Sequence, residues 1–133
     1  MRSHRAVLWL AATLIWAAAP PSEAQVTTAT FYGIVEDQTA APVAGATVTF
    51  TQEATAAVRQ TTTDRRGEFV FTALPVGSYT LKIEKDGFKT YVRTGLALAA
   101  SQSVRQTHVL EVGRMSELVT VESVAPLVNT VSA

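Results

Sequence analysis

The chain has 133 residues, no cysteine, and equal numbers of basic and acidic side chains, 11 of each. Without cysteine it can form neither disulfides nor thiolate metal sites, nor carry a lipid on an N-terminal cysteine. With no basic stripe and no acidic block, it has no electrostatic footprint for capturing nucleic acid or anionic lipid.

The first predicted element is a targeting segment rather than part of a fold. Arg2 and Arg5 give a positive start, Ala6–Ala19 is an apolar run, and Ser22 and Ala24 place small residues three and one positions before a cut after Ala24. These are the parts of a secretory signal peptide. The run is shorter than the roughly twenty residues of a bilayer-spanning helix, and Pro20 and Pro21 follow it directly. The expectation is a signal peptide over 1–24, a folded domain over 25–112 and an extended tail or linker over 113–133. The product is exported across the inner membrane, with no transmembrane span after cleavage, to the periplasm or an outer-membrane-associated location. Trp9 and Trp16 leave with the signal, and the remainder stays close to neutral.

The body then reads as short strands. In the first, Phe31, Gly33 and Val35 share one face, with Tyr32, Ile34 and Glu36 on the other. Pro42 and Gly45 frame a turn before Ala46–Thr51, where Val48 and Phe50 alternate with Thr47, Thr49 and Thr51, a face expected to be wet. A third strand covers Ala57–Thr63. Asp64 and Gly67 supply the turn chemistry of a hairpin, because an aspartate can bond its own backbone two residues on and glycine accepts positive φ. Phe69 and Phe71 then alternate with Glu68, Val70 and Thr72. Pro75 and Gly77 break the run before Tyr79–Glu84 resumes it.

Lys85-Asp86-Gly87 signals another turn, after which Phe88, Thr90 and Val92 are expected inward, with Lys89, Tyr91 and Arg93 outside. Leu96 and Leu98 cover an end of the core. In a last strand over Val104–Val112, Leu110 and Val112 are the inward candidates. About seven short strands rich in β-branched residues, with regular turn signals and no helical period, predict an all-β fold: a small antiparallel β-sandwich.

Catalytic patterns are absent. After signal removal His108 is the sole histidine, where a zinc hydrolase needs several ligands at set spacing. No G-x-S-x-G elbow and no phosphate-holding glycine loop is present. Asp37, Asp64 and Asp86 lie in three separate loops without the spacing of a calcium loop, so they read as turn residues. No cofactor or metal is expected, and the chain is expected not to be an enzyme.

Taken together, G-I-V-E-D at 33–37, P-V-A-G-A-T-V at 42–48, T-D-R-R-G-E-F-V-F at 63–71, L-P-V-G-S-Y-T-L at 74–81 and D-G-F at 86–88 resemble the carboxypeptidase regulatory-like domain. The resemblance implies a transthyretin-like (prealbumin-like) sandwich of the carbohydrate-binding-like fold group, and an accessory rather than a catalytic role. Lysine–asparagine self-stapling, known in a neighbouring group of such sandwiches, lacks its residues here: the sole asparagine is Asn129 and the first strand has no lysine. With the signal peptide in front and V-T-V-E-S-V-A-P-L-V-N-T behind, the chain is similar to the N-terminal extension of Oar-like TonB-dependent outer-membrane transporters. That likeness implies a protein partner, TonB or the transporter's own plug and barrel.

Two candidate sites follow. Outward aromatics can stack sugar rings, which makes Tyr32 and Tyr91 the candidate carbohydrate contacts. The extended segment around Glu117, Val119 and Val121 has the length for β-strand addition to a partner; alternatively it is an eighth strand closing the sandwich or a linker. The residues after 112 are too few for a plug and barrel, so the sequence reads either as a separated piece of a transporter or as a free-standing module.

Overall fold

A computed structural model describes Ala19 and residues 27–122; the rest of the expected signal peptide, residues 25–26 and residues 123–133 lie outside the described residues. Eight strands follow one another: β1 (Thr28–Asp37), β2 (Thr47–Gln52), β3 (Val58–Thr62), β4 (Glu68–Pro75), β5 (Gly77–Glu84), β6 (Thr90–Leu98), β7 (Ser103–Leu110) and β8 (Leu118–Glu122). They form a three-stranded sheet in the order β4-β1-β7 and a five-stranded sheet in the order β3-β2-β5-β6-β8. The expected all-β sandwich is the fold. The segment around Val119 takes the eighth-strand alternative, and the fold differs from an all-antiparallel reading in two parallel pairings, β1 with β7 and β6 with β8.

Alternation decides what is buried. Phe31 and Val35 of β1, Val48 and Phe50 of β2, Phe69 and Phe71 of β4, Tyr79, Leu81 and Ile83 of β5 and Leu110 of β7 all point between the sheets. The Phe50 ring is the centre of this layer, with ring centroids of Phe31 at 5.1 Å, Phe71 at 5.2 Å and Tyr79 at 4.9 Å. Gly33 leaves room for a ring: a Cβ there would overlap Phe69. The threonine face of β2 is half-exposed, as expected.

Several local expectations are corrected. The Asp64–Gly67 turn does not close a hairpin, because β3 and β4 lie in different sheets; it carries the chain across the sandwich. Its chemistry is the predicted one: Asp64 Oδ1 accepts from the N–H groups of Arg66 at 2.8 Å and Glu68 at 2.9 Å, and Gly67 has φ 72°. The true hairpins are β2–β3 and β5–β6.

In β6 the expected faces are exchanged only around Tyr91–Arg93; Thr90 is buried, and beyond a shift in register Leu96 and Leu98 lie in the core as expected. The β5–β6 register sets Ile83 against Tyr91 and Leu81 against Arg93, which turns Tyr91 and Arg93 inward and leaves Phe88 and Val92 half-buried. Val112 is 69% exposed, since β7 has already ended and only an isolated bridge to Phe88 remains.

Candidate functional site

Two features stand apart from ordinary packing: the outer face of the small sheet, and the flank where β8 closes the large one. On the outer face, Tyr32 of β1 is 41% exposed and lies in register with Val70 of β4 and Arg105 of β7. The Arg105 guanidinium sits 5.8 Å from the Tyr32 ring centroid, within cation–π range. Tyr32, Ile34, Asp64, Glu68, Val70 and Arg105 line a shallow groove of about 270 Å³. The outer face of the large sheet is different in kind, with threonines on β2 and a Lys82–Glu84 ion pair at 3.4 Å on β5.

Of the two tyrosines named from the sequence, only Tyr32 is presented. Tyr91 is a correction: it is 7% exposed and part of the core cluster, for the register reason given above. Arg105 was missed, because its proximity to Tyr32 comes from a parallel pairing between strands far apart in sequence.

At the flank, β8 pairs in parallel with β6 from Thr90↔Leu118 to Thr94↔Glu122. Thr90 anchors the approach: its hydroxyl donates to the Met115 carbonyl at 2.6 Å and its N–H to the Glu117 carbonyl at 2.8 Å. Lys89 Nζ lies 3.5 Å from Glu111 and 3.6 Å from Glu117. The candidate segment is thus a strand of the sandwich. Val119 and Val121 are half-buried, whereas Glu117 is exposed.

Beneath this flank lies a polar seam. His108, fully buried on β7, has its Nδ1 3.2 Å from the Tyr91 hydroxyl, while its Nε2, Arg93 Nε and Gln106 Oε1 are buried without a partner among the described residues. Burial, with the Arg93 charge as a second cause, lowers the His108 pKa from 6.5 to about 4. A base whose pKa falls on folding stabilises the fold fully above its unfolded pKa and loses that contribution as pH falls. The contribution, about 3 kcal/mol, is therefore expected in full above pH 6.5 and to fade towards pH 4. The urea midpoint should drop across this window in the wild type and stay nearly level in His108→Leu. Equal slopes in the two proteins would refute the assignment.

Chemically, neither feature resembles a reaction centre. Among the described residues no cluster of histidine and carboxylate side chains is placed to hold a metal ion. Asp37 is occupied with its own turn: Thr39 and Ala41 donate to its Oδ1, and these bonds, the Thr39 hydroxyl foremost, hold its carboxyl below the usual range.

Comparison with known proteins agrees with this geometry. A chain region of 96 residues, 72% of this protein, is 28% identical to the TonB-dependent transporter Oar of Myxococcus xanthus, and spans 9% of that protein's length. Among solved structures, the minor pilin GBS52 of Streptococcus agalactiae superimposes with a TM-score of 0.55 at 15% identity, over 67% of this chain and 46% of the pilin. A type II cohesin–X-dockerin complex from Acetivibrio cellulolyticus matches with a TM-score of 0.52 at 23% identity, over 64% of this chain and 58% of that one. At such identities the structural matches speak for the sandwich alone. The family profile of the carboxypeptidase regulatory-like domain matches residues 30–111, from within β1 to just past the end of β7. With that match across most of the folded residues, the chain belongs to the carboxypeptidase regulatory-like domain family.

Proposed function

We propose that this protein is an exported, non-catalytic interaction module of the cell envelope. Residues 1–24 direct it across the inner membrane and are removed, residues 25–112 form the module, and the segment from residue 113 onward joins it to a TonB-dependent transport system at the outer membrane. The likeness to a transporter supports the setting. No described helix is long and apolar enough to cross a membrane.

The observation that carries the reading is the position of β8. Leu118–Glu122 lies on the rim of the large sheet, one edge bonded to β6 and the other unpaired among the described residues. An open strand edge offers main-chain donors and acceptors to an incoming strand, and the alternating side chains give selectivity. Photo-crosslinkers placed in living cells at Glu117, Val119 and Val121 should capture TonB or a transporter plug, with capture lost in Thr120→Pro, which removes an N–H that β6 does not use. No capture from any of the three positions would overturn the proposal.

A second reading rests on Tyr32. Its exposed ring beside Arg105 and Glu68 has the chemistry of a small carbohydrate contact, one face for stacking and charged groups for hydroxyls. Glycan binding that disappears in Tyr32→Ala would favour this reading over the first.

A further inference from the structure

The strands are not held equally. β1, β2, β4, β5, β6 and β7 each bury at least two residues, whereas β8 alternates exposed and half-buried side chains and buries none. β3 also buries none, but it is one arm of the β2–β3 hairpin, and Arg59 ties it to the Thr72 carbonyl of the opposite sheet. The firm attachments of β8 stop just short of it. Lys89 pairs with Glu111 and Glu117, the Thr90 hydroxyl donates to the Met115 carbonyl, and the Gly113 N–H donates to Gly87. These bonds fix the connection from Glu111 to Glu117, and Leu118 is the first residue held only by the β6 ladder and by the packing of Val119 and Val121.

What β8 covers is polar. In the β6–β8 register Val119 stands beside Tyr91 and Val121 beside Arg93, so both valines face the inside of the sandwich with those two side chains. There Arg93 Nε, Gln106 Oε1 and His108 Nε2 are buried without a partner among the described residues. A buried polar atom without a partner raises the free energy of the closed state, and it regains a hydrogen bond as soon as water reaches it. Docking of β8 therefore gains a five-residue ladder and the partial burial of two valines, against the hydration of three polar groups.

We propose that β8 is a releasable strand: Leu118–Glu122 leaves β6 as a unit, hinged at Glu117, while β1–β7 stay folded and water reaches Arg93, Gln106 and His108. The family match, which stops just past β7, draws the same boundary. Released, β8 offers a partner both of its edges, where the docked strand offers one. The inference deepens the proposed role of β8 and rests on that reading only for the partner; the release itself belongs to the free protein.

Amide exchange of the purified full chain, followed residue by residue by NMR, tests the release with no partner present. The Thr90 N–H donates to the Glu117 carbonyl, and in a parallel pair alternate residues turn both main-chain groups to the same neighbour. The N–H groups of Val119 and Val121 therefore bond to β6, and those of Val92 and Thr94 bond to β8. Release frees all of them together. They should exchange at least about a hundredfold faster than the amides of the β2–β5 ladder in the middle of the same sheet, at rates that low denaturant leaves unchanged.

Gln106→Leu replaces one unpaired polar group by an apolar one and should hold β8 down, slowing exchange at Val119 and Val121 about fivefold or more relative to the β2–β5 amides. A variant that merely disturbed the packing would speed it. Arg93→Met removes a second unpaired group with the same expected direction and keeps the test intact should Gln106→Leu fail to fold. Exchange of the β8 ladder only together with the β2–β5 ladder, or no slowing in whichever of the two variants folds, overturns the proposal. Release in the free chain without any crosslink from β8 in cells would sink the TonB reading and leave this inference standing.

Discussion

Phe50→Ala is expected to remove about 3–5 kcal/mol of stability and to lower the melting temperature by roughly 15–30 °C. Phe50 is fully buried, and three aromatic rings lie within 5.2 Å of its centroid, contributed by β1, β4 and β5. Losing its ring opens a cavity bounded by strands of both sheets, whose main-chain ladders resist collapse into the space. A domain of this size holds only about 5–15 kcal/mol in total, so one ring carries a large share of it. Chemical denaturation of the purified variant checks this. A loss below about 1 kcal/mol would show that the aromatic layer is not the mechanical centre of the fold.

Gly67→Ala is expected to cost about 2–5 kcal/mol, from two sources that a second variant separates. Gly67 has φ 72°, a left-handed conformation that costs an alanine about 1–2 kcal/mol. A Cβ would also overlap the Val35 carbonyl oxygen, a main-chain atom that cannot swing aside because it accepts the Val43 N–H. Gly87 also has positive φ, 87°, but open space where its Cβ would stand. Gly87→Ala therefore reports the conformational cost alone, and the difference between the two variants reports the collision. Equal losses in the two would refute the close approach at Gly67.

The turn crossing from β3 to β4 shows how local and tertiary information divide. Asp64 and Gly67 were legible as a turn because their chemistry is local: a carboxylate bonding N–H groups two and four residues on, and a backbone angle favouring glycine. Whether that turn returns the chain to the same sheet or sends it to the opposite one is not local. It depends on β4 finding β1 as its partner, and the same local chemistry serves both outcomes.

Tyr32 and Tyr91 divide in the same way. Tyr32 sits in a strand whose alternation begins cleanly, so its outward direction could be counted from Phe31. Tyr91 follows a turn whose length decides the register, and a one-residue difference there exchanges the faces of the strand as far as the register shift before Leu96. The sequence reading placed Tyr91 with the wrong set, and with it Arg93, the charge that now lies near His108 beneath β8.

The amino-acid sequence by itself determined the strands, their turns, the aromatic residues of the core and the family, because each depends on periodicity, turn chemistry or motif order within a few residues. Only the tertiary structure decided which strands pair. It placed Arg105 beside Tyr32, set β8 on β6 and buried His108 against Tyr91. The physical reason is that pairing joins segments distant in the chain, and its register is fixed by the packing of two whole sheets, which no short window of sequence contains.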